Sequence, residues 1–238
     1  MSTSRDYVLL HGGNHGGWCW DFVAAELRQR GHRVAAPDLP IVDPEAGWAD
    51  HADVALASYQ SDDVVLVAHS RSGRLVPQLL ERRPVRRVVL ISSSIVGGTL
   101  PPPYSTPPFP PPKAAIDMTR DELGRTILSE EQARSLYFNE CSEETIQWAL
   151  PQLRPQCDPP PLPEIRWPDV PVAYVAGAQD RVVDHDWMRA AAAERLGVEL
   201  QEIDGDHSPF LSRPHELAVL LHDLANQDAR TPTDRRRM

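Results

Sequence analysis

The sequence predicts an α/β fold, a mostly parallel sheet flanked by helices, and three observations predict it. Short apolar segments alternate with segments of helical periodicity along most of the chain, the pattern of right-handed βαβ units. One of them, Val64-Val65-Leu66-Val67-Ala68-His69, is unbroken and rich in β-branched residues, as a strand covered on both faces must be. It stops abruptly at Ser70 and gives way at once to a helix-like stretch.

The elements follow in order. Residues 7–10 form a short strand that runs into the glycine-rich turn His11-Gly12-Gly13-Asn14-His15-Gly16-Gly17. Residues 18–30 carry Trp18, Phe22, Ala25 and Leu27 at helical spacing and stop at Gly31, an amphipathic helix with a glycine end. Residues 32–37 read as a second strand and 43–59 as a weaker helix. Residues 64–69, 71–82 and 85–93 give strand, helix, strand. Near the far end, 172–177, 187–196, 199–203 and 214–225 give strand, helix, strand, helix.

The stretch 95–171 differs in kind. Residues 101–112 hold eight prolines in twelve, an extended linker rather than sheet. Residues 118–150 then show helical spacing through Leu123, Ile127, Leu128, Leu136, Tyr137, Ile146, Trp148, Ala149 and Leu150, and a second proline-rich stretch, 151–171, returns the chain to the sheet. The expected organisation is a core of residues 1–94 and 172–227, a helical cap over 95–171 and a polar tail over 228–238. An insertion at the C-terminal edge of a parallel sheet is placed to cover a site.

At 238 residues the chain suits one large domain. Its formal charge of −10 argues against nucleic acid or an anionic membrane as partner. The three cysteines, Cys19, Cys141 and Cys157, are odd in number and far apart, without CxxC or a zinc-type cluster, so neither a disulfide scaffold nor a metal site is expected. That usage fits a reducing cytoplasm. No signal peptide is visible at the start, and no window reaches the length of a membrane span. A homodimer is compatible with the sequence, which does not specify one.

A buried strand, a sharp turn carrying a serine and then a helix is the nucleophile elbow of serine α/β-hydrolases. The usual G-x-S-x-G appears here as Ala68-His69-Ser70-Arg71-Ser72, with Gly73 one place late. Both flanking residues are small, as a close strand–helix crossing requires. A serine hydroxyl needs a base, the base an orienting carboxylate, and the developing oxyanion needs backbone donors. In this fold the order is Ser, then Asp or Glu, then His, each after a strand. His207 lies in a loop after the last strand, whereas His11 and His15 precede the serine, His69 adjoins it, and His185, His215 and His222 fall at or within helices. Asp180 follows the strand over 172–177, and Asp184 and Asp186 read as helix-start residues. Ser70, Asp180 and His207 are the expected catalytic set. The N–H groups of Gly13 and Arg71 are the expected oxyanion donors.

With those residues in view, the opening Val8-Leu9-Leu10-His11-Gly12-Gly13-Asn14-His15-Gly16-Gly17-Trp18-Cys19-Trp20 and the loop Gly205-Asp206-His207-Ser208-Pro209-Phe210 resemble the plant methylesterase and hydroxynitrile lyase family of α/β-hydrolases. The resemblance implies a cofactor-free enzyme acting on a small ester. The family's lyases carry a lysine after the histidine and a threonine after the first loop histidine. Ser208 and Gly12 stand there, and both departures point to ester hydrolysis. An apolar pocket is expected from Gly12, Phe138, Trp148 and Leu150. The alternatives are a lyase or carbon–carbon bond-cleaving enzyme of the same fold, and a non-catalytic receptor for a small ligand.

Overall fold

The computed structural model describes residues 4–109 and 119–227. Residues 110–112 of the first proline-rich stretch and the expected tail over 228–238 lie outside the described residues. Six parallel strands form one sheet: β1 (Asp6–Leu10), β2 (Arg33–Ala35), β3 (Val64–His69), β4 (Arg87–Ile91), β5 (Val172–Gly177) and β6 (Leu200–Ile203), in the order β2-β1-β3-β4-β5-β6. The chain leaves β1 outward to β2 and returns to β3 on the other side of β1. Loops at the C-terminal ends of β1 and β3 therefore diverge at a crevice, where ligands bind open α/β sheets.

Alternation along the strands builds two cores. Val8, Leu10, Leu66, Ala68, Val88, Leu90, Tyr174 and Ala176 face one layer, filled by α2 (Trp48–Ala57), α3 (Val76–Arg82) and α5 (His185–Ala191). Tyr7, Leu9, Val65, Val67, Val89, Ile91, Ala173 and Val175 face the other, with α1 (Asp21–Gln29) and the C-terminal helix α6 (Pro214–Asn226). Both faces of β3 are buried, which is why its sequence reads as an unbroken apolar run.

Three helices start later than expected, α2 among them at Trp48 rather than at residue 43. The expected helix over 71–82 is a 3-10 turn from Ser70 to Leu75 and becomes α-helical at Val76, next to Pro77. Proline lacks the N–H and fits the first turn of an α-helix, so α3 begins around it. Likewise Gly17–Trp20 is a 3-10 turn that precedes α1.

The segment between β4 and β5 corrects the expected run of helix. Residues Thr119–Arg120 and Thr126–Ile127 form a two-stranded antiparallel hairpin. At its turn, Asp121 Oδ1 accepts the N–H groups of Leu123 and Arg125, a local arrangement that competes with helix. Leu123, expected on an apolar face, is 63% exposed. Ser129 then caps a short helical turn, Ala133–Tyr137 is a wide π-type turn, and Ser142 caps α4 (Glu143–Ala149). Ala133, Phe138, Ile146 and Ala149 join the apolar cluster of α1 and α6. Where the segment leaves and re-enters the core, Trp167 N–H donates to Gly98 O at 2.7 Å and its indole N–H to Val96 O at 2.7 Å, closing a stem.

Leu66, fully buried at the centre of β3, tests the sheet as foundation. Leu66→Ala is expected to lower unfolding free energy by about 2–5 kcal/mol, read as a reduced urea midpoint at unchanged slope.

Candidate active site

Register brings the site together. Leu10 pairs with Ala68 and His69 with Ile91, so residues 11–13, the turn at Ser70 and the loop after β4 emerge side by side. Ile91 pairs with Val175 and Gly177 with Ile203, which brings the loops after β5 and β6 to the same edge.

Ser70 sits in the left-handed region at φ 51°, a conformation that costs a non-glycine residue energy and marks a constrained turn. The constraint is visible: Ser70 O accepts Ser93 Oγ–H at 2.8 Å and Ser94 N–H at 3.1 Å. Ser72, where the usual pattern has glycine, shares its hydroxyl proton between His69 O at 2.8 Å and Leu10 O at 3.1 Å. The glycine the crossing demands is Gly73, since a Cβ there would lie 2.2 Å from Ser94 O. Gly12 is equally confined, because a Cβ there would lie 2.6 Å from His69 Nδ1 and 2.9 Å from Ser70 Cβ.

The three residues singled out from chain order meet. Ser70 Oγ stands 3.2 Å from His207 Nε2, and His207 Nδ1–H donates to Asp180 Oδ2 at 2.9 Å. Asp180 Oδ1 accepts Val182 and Val183 N–H at 2.7 and 3.0 Å. Asp180 is 1% exposed. Burial raises its carboxyl, but the His207 charge and the hydrogen bonds to His207, Ser92 and Val183 outweigh that and bring it to about 2. Asp184, as expected, caps α5 by accepting Trp187 N–H.

Arg71 N–H lies in the first turn after Ser70, where helical amides have no partner within the helix. Gly13 lies in the loop beyond β1, its carbonyl accepting His15 Nδ1–H at 2.7 Å. That loop is fastened to the inserted segment. Asn14 N–H donates to Gln156 Oε1, Asn14 Nδ2 to Thr126 O and Arg154 O, and Tyr137 O–H to Asn14 Oδ1.

The residues expected to line a pocket separate. Gly12 abuts His69 and Ser70 as described. Phe138 is fully buried, its ring edge-on to His15 at 6.1 Å. Trp148 packs on Trp18 and Phe22 at 5.4 and 5.0 Å, fastening α4 to the start of α1. Leu150 is half-buried against the same apolar cluster. From the inserted segment, the ring that faces His207 is Tyr137, at 5.4 Å. The wide turn over 133–137 rotates neighbouring side chains away from the spacing of a regular helix.

Two further residues escaped sequence reasoning. His69 donates Nε2–H to His207 O at 2.9 Å and packs its ring 4.7 Å from that of His207; burial holds its imidazole neutral. Asp206 accepts Ser208 N–H from its own loop, Ser212 Oγ–H from the short helix Pro209–Ser212 and Glu140 N–H from the inserted segment. Its fully buried position was hidden because a DH dipeptide in a loop reads as solvated. Around these groups, burial also lowers His11 to about 3 and His15 to about 4. Among the described residues no cluster of His, Cys, Asp and Glu is placed to hold a metal ion, and no helix is long and apolar enough to cross a membrane.

Asp180 makes an acid-limb prediction. Its folded value, about 2, lies below the unfolded 3.8, so its contribution to stability is present above about pH 4 and is lost as pH falls towards 2. The urea midpoint of the wild type is expected to fall more steeply over that window than that of Asp180→Asn; parallel curves would contradict this.

Comparison with known proteins identifies the family. The chain is 27% identical to the rice protein named Esterase PIR7B (Oryza sativa subsp. japonica), over 95% of this chain and 97% of that one. It is 27% identical to Methylesterase 7 of Arabidopsis thaliana, over 96% and 99%. The crystal structure of polyneuridine aldehyde esterase superposes with a TM-score of 0.80 at 23% identity, covering 94% of this chain and all of that one, a likeness of fold. A model described as the alpha/beta hydrolase family matches residues 7–220. That match runs from the first strand into the last helix, and the chain belongs to the alpha/beta hydrolase family.

Proposed function

We propose that the protein is a serine hydrolase that cleaves a small carboxylic ester through Ser70, His207 and Asp180. The observation that carries this reading is the continuous relay from Ser70 Oγ through His207 to Asp180, at 3.2 and 2.9 Å, with Ser70 held at φ 51°. The names of the relatives, an esterase and a methylesterase covering nearly the whole chain, support the same reaction.

In this mechanism Ser70 Oγ attacks the ester carbonyl while His207 Nε2 takes the hydroxyl proton. Asp180, ionised and fully buried, holds the Nδ1–H tautomer and stabilises the imidazolium. The carbonyl oxygen becomes an oxyanion that the N–H groups of Gly13 and Arg71 receive, and loss of one such donor costs about 2.7–4 kcal/mol. Collapse expels the alcohol, protonated by His207, and leaves an acyl-Ser70. A water deprotonated by His207 then attacks the acyl carbon and releases the acid. Tyr137 and the described part of the inserted segment over 119–171 act as a cap across His207. The space around Gly12 favours hydrolysis over the lyase alternative: a threonine there would meet His69 and Ser70.

Ser70→Ala tests the reading directly. Hydrolysis of a short p-nitrophenyl ester is expected to fall by about 10⁴-fold or more in the variant, with an unchanged melting curve. Equal rates in both proteins would refute it.

A further inference from the structure

The residue after Ser70 carries a charge into the interior. The Arg71 side chain is 8% exposed, and its guanidinium carbon lies 5.1 Å over the Trp48 ring. Arg74, one turn on, lies over the same ring at 5.9 Å and over Phe109 at 4.3 Å. Arg71 Nη2 donates to Cys157 O at 2.7 Å and stands 3.4 Å from Asp158 Oδ1. Its Nε and Nη1, and Arg74 Nε, are buried without an acceptor. Asp158, 39% exposed, is the carboxylate paired with Arg71, and it is within electrostatic reach of Arg74.

A buried cation whose donors are unmet is unfavourable, and such a group at the edge of a reactive site suits a ligand that brings the missing acceptor. Burial pushes Arg71 down to about 10, in keeping with that deficit. The group also borders the proposed reaction centre. Tyr137, whose ring faces His207 at 5.4 Å, is within electrostatic reach of both Arg71 and Asp158.

We infer that Arg71 and Arg74 form an anion subsite beside Ser70 that receives a carboxylate of the substrate, so that the preferred substrates are esters bearing a free carboxylate. This rests on the ester-hydrolase reading and names its substrate class. Charge-assisted hydrogen bonds from a planar guanidinium suit a carboxylate. The Trp48 ring lies against both guanidinium groups in cation–π contact.

The test compares kcat/KM for monomethyl adipate and methyl hexanoate, which match in chain length up to the terminal carboxylate or methyl. The wild type is expected to prefer the adipate ester by about 10- to 100-fold. In Arg71→Met the ratio should fall to near one, in Arg74→Met it should fall part of the way, and Arg71→Lys should retain some preference, separating lost charge from lost fold. A wild-type ratio at or below one, or an unchanged ratio in Arg71→Met, overturns the subsite. If the wild type hydrolyses neither ester, the p-nitrophenyl assay with Ser70→Ala decides the hydrolase reading, and calorimetry with adipate decides the subsite. Binding that is lost in Arg71→Met upholds it, and absence of binding to the wild type overturns it.

Discussion

The close crossing of β3, the turn at Ser70 and the loop after β4 is the constraint on which the rest depends. A serine at φ 51° is held there because its carbonyl is bound twice, by Ser93 Oγ–H and Ser94 N–H. Everything around the turn must then be small or hydrogen-bonded. Gly73 leaves room for Ser94 O, Gly12 leaves room for Ser70 and His69, and Ser72 satisfies the carbonyls of Leu10 and His69. Strain at one residue is sustained because its neighbours over-determine it.

Around that turn the protein assembles imidazoles that differ in purpose. His11, His15 and His69 are kept neutral by burial and serve as hydrogen-bond fittings to backbone carbonyls. His207 is the ring that joins a buried carboxylate to a hydroxyl. The carboxylate is ionised despite burial because its oxygens accept from His207 and from two backbone amides. The inserted segment reaches this assembly through Gln156 and Tyr137 on Asn14, Arg154 on His11 and His15, Tyr137 on His207, and Glu140 on Asp206. Each joins the segment to a loop that carries a site residue, so its position and the geometry beneath it are coupled.

The sheet, the order of its elements, the elbow and the Ser-Asp-His series were legible in the sequence. They are local or ordinal: an apolar run, a turn followed by a helix, and residues that follow strands in a fixed succession. The inserted segment was legible only in part. Its prolines marked where it begins and ends, but apolar spacing over 118–150 did not reveal the hairpin, because Asp121 bonds locally to Leu123 and Arg125 and overrides the period.

By itself the sequence determined the fold class and nominated Ser70, Asp180 and His207, because parallel strands must be apolar on both faces and the loops at their ends inherit a fixed order. Only the tertiary structure decided which side chains meet. That Tyr137 rather than Phe138 faces His207 depends on a wide turn. That Asp206 and His69 brace the histidine loop, and that Arg71 lies buried on Trp48, depends on contacts between residues far apart in the chain. Such pairings carry no periodicity, since they are set by how loops from different strands pack at one edge of the sheet.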